Sequence, residues 1–266
     1  MDLGLRGKTA VVTGASQGIG LAITQALAAE GVSVVMVART PGRLSPAAAD
    51  VRERLTTSGA PPLFAVAADL SMRAEVERVA STALARLGQV DILVNNAASS
   101  HTGPFFEMSD EDLVDTWQVK ALGYMRLVRA LAPHMMGRRD GRIINIVGGA
   151  ARTPTLDFIA GSMVNAALVN FTRGISRELA RYNVRINSIS PGWTMTERQE
   201  RSFALQAAAR QISADDLERQ QSRSIPLNRL VSAHEIATLT MLLVSDKLPS
   251  MTGEDIVIDG GATPSV

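Results

Sequence analysis

The chain has 266 residues, of which 46% are apolar, and its 27 basic and 26 acidic residues leave a net charge of +1. This even balance excludes the basic surface typical of nucleic-acid or anionic-membrane binding, and no stretch approaches the ~18–20 apolar residues that span a bilayer. The absence of cysteine excludes disulfides, thiolate metal sites and a cysteine nucleophile, and the N-terminus lacks an apolar signal segment, so we expect a cytoplasmic protein without a metal.

Strands and helices are expected to alternate along the chain. Seven short apolar runs are typical of buried β-strands: Lys8–Thr13, Val32–Val37, Leu63–Ala67, Asp91–Val94, Arg142–Val147, Arg185–Ile189 and Asp255–Ile258. Helical spacing between them predicts helices at Gln17–Glu30, Pro46–Thr57, Ser71–Arg86 with Ser71 as cap, Ser109–Met136, Phe158–Arg181 and Ser232–Ser245. A serine three residues before an acid is typical of a capping box: Ser109/Asp112 and Ser232/Glu235. The pattern predicts a single-domain α/β fold with a parallel sheet between two layers of helices.

One region departs from this alternation. Residues 196–230 are polar and carry no strand pattern, although Phe203–Ile212 and Asp215–Arg223 have helical spacing. An insertion after the carboxyl end of a strand is where a lid over a ligand crevice is found. We therefore expect a lid-like insertion at about 195–230, and we expect Trp193, Met195 and Phe203 to line the apolar part of the pocket or its lid.

The turn after the first strand has the composition of a phosphate-binding loop. It contains Gly14, Ser16, Gln17, Gly18, Ile19 and Gly20. Gly14 permits a tight turn, Gly18 a close approach of the backbone to a pyrophosphate, and Gly20 the packing of helix on strand. Because the turn joins a predicted strand to a predicted helix, whose first amides face the phosphates, it predicts a dinucleotide site.

The end of the second strand indicates which dinucleotide. A site for NAD places an acid there to hold the ribose 2′-hydroxyl, but this chain has Arg39 and no acid nearby. A guanidinium can pair with a 2′-phosphate through two hydrogen bonds. We therefore expect NADP(H), with Arg39 as a solvated loop residue as the alternative.

These motifs, and others spread over nearly the whole chain, resemble the short-chain dehydrogenase/reductase family. The resemblance implies that Asp69 and Leu70 contact the adenine, and that Asn96 and Ala97 belong to the motif after the fourth strand. It also implies that the segment after the sixth strand contacts the nicotinamide, with the threonine at its end holding the carboxamide: Pro191, Gly192, Thr194 and Thr196. The implied fold is a seven-stranded Rossmann sheet in the strand order 3-2-1-4-5-6-7.

The family's catalytic residues are expected to be replaced. The resemblance implies an asparagine, a serine, a tyrosine and a lysine, and the aligned residues here are, in that order, Lys120, Gly148, Gly161 and Asn165. Glycine has no group that transfers a proton, so Gly161 cannot serve as the acid. The space left beside the nicotinamide can take a bulkier substrate or be filled by Phe158 or Met163.

Three residues remain as catalytic candidates. Lys120 could act as an acid, a base or an anion clamp because burial lowers a lysine's pKa, or it could reach outward or pair with Asp115 or Glu107. His101, in the loop after the fourth strand, could act as an acid or could face solvent. Asn165 can hydrogen-bond a ribose hydroxyl of the cofactor or take part in catalysis.

The leading hypothesis is an NADP-dependent oxidoreductase with a non-standard active site and a small-molecule substrate. Reduction of an activated C=C bond suits such a site because the proton can come later from water, and carbonyl reduction with His101 or Lys120 as donor is the next option. The alternatives are an NADP-binding sensor or a non-catalytic partner subunit without redox turnover, and a non-redox enzyme that uses the nucleotide structurally.

Assembly into a homodimer or homotetramer is also expected. The helices Ser109–Met136 and Phe158–Arg181 resemble those that pair across a two-fold axis in the family, and Ala166, Ala167 and Gly174 are small enough for close packing.

Overall fold

A parallel sheet forms the centre of the molecule. The structure, a computed structural model, describes residues 2–55, 59–98 and 101–264. Within these ranges seven strands form the sheet: β1 (Thr9–Thr13), β2 (Ser33–Ala38), β3 (Leu63–Ala67), β4 (Ile92–Asn95), β5 (Gly141–Ile146), β6 (Val184–Pro191) and β9 (Asp255–Ile258). Their order across the sheet is β3-β2-β1-β4-β5-β6-β9, and every neighbouring pair is parallel. This confirms the predicted α/β fold and strand order.

Helices cover both faces of the sheet. In the described ranges they are α1 (Gly18–Ala29), α2 (Pro41–Arg54), α3 (Arg73–Leu87), α4 (Asp110–Thr116), α5 (Gly123–Arg138), α6 (Ile159–Ala180), α7 (Glu197–Arg210), α8 (Ala214–Arg223) and α9 (Ala233–Val244). Alternate residues of β1 join different cores: Ala10 and Val12 lie in the core with α1, α2 and α9, and Val11 lies in the core with α3, α5 and α6. Burial on both faces explains why the strands are apolar throughout.

Outside the insertion after β6, two helix starts differ from the prediction. The helix predicted from Pro46 begins at Pro41, which occupies the first turn, where the missing N–H of proline costs no hydrogen bond. Its predicted end at Thr57 lies outside the described residues. Ser71 does not cap α3, whose N-cap is Met72. It lies one residue before the cap, in a local turn where its amide donates to Asp69 Oδ1 at 2.9 Å. Both predicted capping boxes are present.

The predicted helix 109–136 changes its winding in the middle. Between α4 and α5 the segment Trp117–Leu122 forms a π-helical turn, which contains Lys120. Such turns widen a helix locally and are frequent at functional sites.

The insertion after β6 has a small core of its own. Its ends are joined by a parallel pair of two-residue strands, β7 (Thr194–Met195) and β8 (Val231–Ser232). Between them, α7 and α8 enclose a cluster of buried residues: Phe203, Ala207, Leu217, Ile225 and Leu230. Phe203 thus packs within the insertion and Met195 against it, whereas Trp193 is 44% exposed. A lid role for this segment stays a prediction.

Within the described residues, no helix is both long enough and apolar enough to cross a membrane. On α6, Ala166 and Gly174 are exposed and Ala167 is half-buried, and the expected assembly stays a prediction.

A buried chain of polar side chains fastens α6 to the sheet. Asn95 Nδ2 donates to Asn145 Oδ1 and Asn145 Nδ2 donates to Thr172 Oγ1, both at 2.9 Å, and Thr172 Oγ1 donates to the Leu168 carbonyl oxygen at 2.8 Å. Asn95, Asn145 and Thr172 have no exposed surface. This chain sets the position of α6 relative to the carboxyl ends of β4 and β5.

Replacing Asn145 should therefore destabilise the fold. Asn145→Ala leaves Asn95 and Thr172 buried without this partner, and we expect the free energy of unfolding to fall by about 1–3 kcal/mol. Urea denaturation measures this loss. The control is Ser81→Ala, at an exposed position of α3, and an equal effect in the two variants would contradict the prediction.

Candidate functional site

The glycine turn packs closely against the end of β4. Gly14 and Gly18 have φ values of +62° and +55°, which L side chains rarely adopt. A Cβ on Gly20 would collide with the Gly14 carbonyl oxygen. Asn96 Nδ2 donates to the Thr13 and Gly14 carbonyl oxygens at 3.1 and 3.3 Å. The protein backbone of this turn can therefore come close to a ligand, and Asn96 fixes the turn to the end of β4.

An anionic group already lies on this turn. The Gly18 amide donates to Glu197 Oε2 at 3.0 Å, and Arg201 Nη2 donates to Gln17 Oε1 at 3.1 Å, so α7 contacts the start of α1. The first turn of α1 contains no acidic residue of its own. Because a carboxylate is bound by this helix N-terminus, the site fits an anion such as a pyrophosphate.

The residues expected to hold the adenosine half lie at the ends of β2 and β3. Arg39 follows β2, is exposed, and takes part in no ion pair among the described residues. Asp69 follows β3 in a turn, and Leu70 beside it is buried. A free guanidinium at this edge fits a phosphate on the ribose.

The segment after β6 approaches the glycine turn from the other side. The Thr194 hydroxyl donates to the Gly192 carbonyl oxygen at 2.9 Å, and Thr196 Oγ1 accepts from the Gln199 amide at 3.3 Å and so caps α7. The Thr196 methyl carbon lies 3.1 Å from where a Cβ on Gly18 would stand. The predicted cofactor residues thus meet at the carboxyl edge of the sheet, and their binding role stays a prediction.

Lys120 and Asn165 are in direct contact. Lys120 is 7% exposed, and its Nζ donates to the Val147 carbonyl oxygen at 2.5 Å and to Asn165 Oδ1 at 2.6 Å. Burial, with a smaller contribution from the positive charge of Arg198, lowers the pKa of Lys120 from its usual 10.5 to about 7. Both alternatives for Lys120, an outward position and a pair with Asp115 or Glu107, are therefore wrong.

The two glycines expected at catalytic positions lie beside this pair. A Cβ on Gly148 would stand 2.9 Å from Asn165 Nδ2, and one on Gly161 would collide with the outer edge of the Phe158 ring. Of the alternatives considered, Phe158 fills the space, whereas Met163 is 47% exposed. Tyrosine at 161 cannot fit without moving Phe158, and serine at 148 would adopt an unfavourable φ of +130°. The assignment of these positions to the family's catalytic residues stays a prediction.

His101 lies apart from the Lys120–Asn165 contact. Its Nδ1 is 2.9 Å from Asp112 Oδ1, its Nε2 is 3.9 Å from Asp115 Oδ2, and its side chain is 41% exposed. The Tyr124 hydroxyl donates to the Ile146 carbonyl oxygen, and burial raises its pKa. Tyr182 is 38% exposed at the far end of α6. Neither tyrosine is placed to act as an acid.

Two neighbours of the site were missed by sequence reasoning. Glu197 accepts a hydrogen bond from the Gly18 amide, although the two residues are 179 positions apart in the sequence. The positive charge of Arg198 contributes to lowering the pKa of Lys120. Both residues directly follow Thr196, a residue type that often caps helices. Reading Thr196 as a cap would have predicted a helix from Glu197, whereas the helix was expected only from Phe203.

Comparison with known proteins agrees with the fold and the motifs. The family model described as Enoyl-(Acyl carrier protein) reductase matches residues 14–263. The 2,3-dihydro-2,3-dihydroxybenzoate dehydrogenase of Bacillus subtilis is 33% identical over 99% of this chain and 98% of that protein. The NADPH-dependent reductase BacG of the same organism is 31% identical over 97% of this chain and 99% of that protein.

A solved structure shows the same architecture. L-sorbose reductase from Gluconobacter frateurii, complexed with NADPH and L-sorbose, has a TM-score of 0.95 at 30% identity, with 100% of each chain covered. The chain therefore belongs to the short-chain dehydrogenase/reductase family.

The packing of Phe158 on Gly161 can be tested by mutation. Gly161→Ala should lower the free energy of unfolding by about 1–3 kcal/mol because the new methyl group meets the ring. Phe158→Ala in the same chain should remove most of this penalty, which urea denaturation of the single and double variants measures. Gly137→Ala, at a helical position with open space around it, is the control. Additive effects of the two substitutions would contradict the contact.

Proposed function

We propose that this protein is an NADP(H)-dependent oxidoreductase that reduces a C=C bond conjugated to a carbonyl group, without a tyrosine acid. The observation that carries the proposal is the pair Gly148 and Gly161 beside the buried Lys120–Asn165 contact, with the Phe158 ring in place of a side chain at 161. Here Gly161 offers no hydroxyl to donate a proton.

The chemistry of the product explains the choice of bond. Reduction of a ketone produces an alkoxide, a strong base that needs a proton donor as it forms. Addition of hydride to a conjugated C=C bond produces an enolate, a weaker base, which takes its proton from water afterwards. The family model's description names a reductase of enoyl groups, which agrees with this choice.

NADP(H) is the cofactor that the residues fit. When bound, NADPH supplies the hydride. The glycine turn and the first amides of α1 would bind the pyrophosphate in place of Glu197, and Arg39 would bind the 2′-phosphate. BacG is named an NADPH-dependent reductase and the L-sorbose reductase structure contains NADPH, which supports the same cofactor here.

Carbonyl reduction with His101 as donor is the second candidate. The Nδ1–Asp112 contact of 2.9 Å favours it, because a carboxylate on one ring nitrogen fixes the orientation of the ring and of its other nitrogen. His101→Gln keeps much of the shape and removes the titratable group.

The choice of cofactor gives the first functional prediction. NADPH should bind more tightly than NADH, and Arg39→Ala should weaken NADPH by about 10- to 100-fold while leaving NADH unchanged, because the guanidinium's hydrogen bonds to the 2′-phosphate are lost. Calorimetric titration of both cofactors measures this. Arg54→Ala, at the far end of α2, is the control. Tighter binding of NADH, or no loss on removing Arg39, would refute the assignment.

The choice of reaction gives the second functional prediction. A panel of conjugated enones, ketones and secondary alcohols is assayed by NADPH absorbance, or by NADP⁺ reduction for the alcohols. Enones should be reduced, and ketones should be slower by at least ~10²-fold because no acid assists. Rapid ketone reduction that His101→Gln abolishes would establish the second candidate. Rapid ketone reduction that survives both His101→Gln and Lys120→Ala would show that another acid exists.

A further inference from the structure

The Asn165 amide is held in one orientation by Lys120. Lys120 Nζ donates both to Asn165 Oδ1 and to the Val147 carbonyl oxygen. An ammonium group has donors only, and a neutral amine still has two N–H groups for these two oxygens. The amide oxygen therefore faces Lys120, and the NH₂ group faces away from it.

This NH₂ group lies over Gly148. A Cβ on Gly148 would stand 2.9 Å from Asn165 Nδ2 and 3.7 Å from Asn165 Cγ. The nitrogen thus occupies the room into which a side chain at position 148 would project. By the family resemblance, that is where a hydroxyl group polarises the substrate oxygen.

The nitrogen is also available to a ligand. It donates to no acceptor in the part of the chain that the structure describes, although Asn165 is only 2% exposed. Among the described residues, three side-chain atoms lack both a hydrogen-bond partner and access to solvent: Asn95 Oδ1, Arg142 Nε and Gln199 Nε2. Asn165 Nδ2 is not one of them, so it keeps some accessible surface. A fixed N–H group with no protein acceptor suits a ligand oxygen.

We propose that the Asn165 NH₂ group binds the carbonyl oxygen of the conjugated substrate and stabilises the negative charge that develops there, with Lys120 as the positioning residue. The proposal rests on the proposed function and names the oxygen-binding group of that site.

The reduction is a conjugate addition of hydride followed by protonation. Hydride bonds to the β-carbon, the electrons of the C=C bond shift toward the carbonyl carbon, and the carbonyl π electrons move to the oxygen, which becomes an enolate oxygen bonded to Asn165 Nδ2. The α-carbon then takes a proton from water, the carbonyl reforms, and hydroxide is left. The substrate gains a hydride and a proton, and the nicotinamide loses the hydride.

Substituted phenols test the donor without turnover, because a phenolate resembles an enolate. 4-Nitrophenol is titrated into the protein saturated with NADP⁺, and the absorbance of the bound ligand separates phenolate from phenol. We expect wild type to bind the phenolate, and Asn165→Leu, which has a similar shape and no N–H group, to bind it about 10- to 100-fold more weakly. Gly148→Ala should also weaken binding, because the methyl group displaces the NH₂ group.

Two further variants separate positioning from folding. Lys120→Met frees the amide to rotate, and it should lower phenolate affinity and kcat for enones while leaving NADP⁺ affinity and KM within a few-fold of wild type. Ser81→Leu, at an exposed position of α3, is the control and should bind as wild type does. The urea midpoint of each variant identifies any that is unfolded.

Each outcome has a defined meaning. Equal phenolate affinity in wild type and Asn165→Leu overturns the proposal, and so does a loss confined to NADP⁺ affinity, which would assign the amide to the cofactor ribose. Enone turnover that is independent of Asn165 overturns the proposal alone. Asn165-dependent phenolate binding without any enone turnover overturns the proposed reaction and leaves the oxygen-binding group established. Failure to bind NADP⁺ overturns both.

Discussion

A buried lysine, which forms no ion pair with any carboxylate that the structure describes, is the main constraint on this site. Lys120 lies in the π-helical turn between α4 and α5, and its two hydrogen bonds join that turn to the end of β5 and to α6. Desolvation disfavours its charged form, so near neutral pH the amine exchanges between two protonation states. Because both states need the same two oxygens, the groups around Lys120 keep one arrangement, and the orientation of Asn165 follows from it.

The sheet and the cofactor edge were predictable because their causes are local. Apolar runs separated by helical spacing are sufficient to indicate a buried parallel sheet, and such a sheet places the ends of its strands along one edge. Gly14 and Gly18 have positive φ values, which glycine adopts far more readily than other residues, so their positions in the sequence indicate the conformation of that turn. The capping boxes at Ser109 and Ser232 are equally local.

The remaining features depend on contacts distant in sequence or on competing local bonds. Ser71 is a residue type typical of helix caps, but it lies in the turn formed by Asp69, one residue before the cap position, and the sequence pattern does not distinguish a turn from a cap there. Lys120 had carboxylates nearby on the same stretch of chain, yet the π-helical turn places it against Val147 and Asn165. The filling of the space at Gly161 could be foreseen as a choice between neighbours, and only the packing selects Phe158.

The contact between Glu197 and the Gly18 amide has a consequence for the electrostatic balance of the glycine turn. A helix N-terminus carries a partial positive charge that is stabilised by an anion. Here the protein provides that anion itself, as a side chain of α7. A phosphate bound at this turn would replace one negative group with another, so the helix end would be neutralised in both states. Glu197 is thus a counter-ion that the protein itself provides, on the first residue of α7.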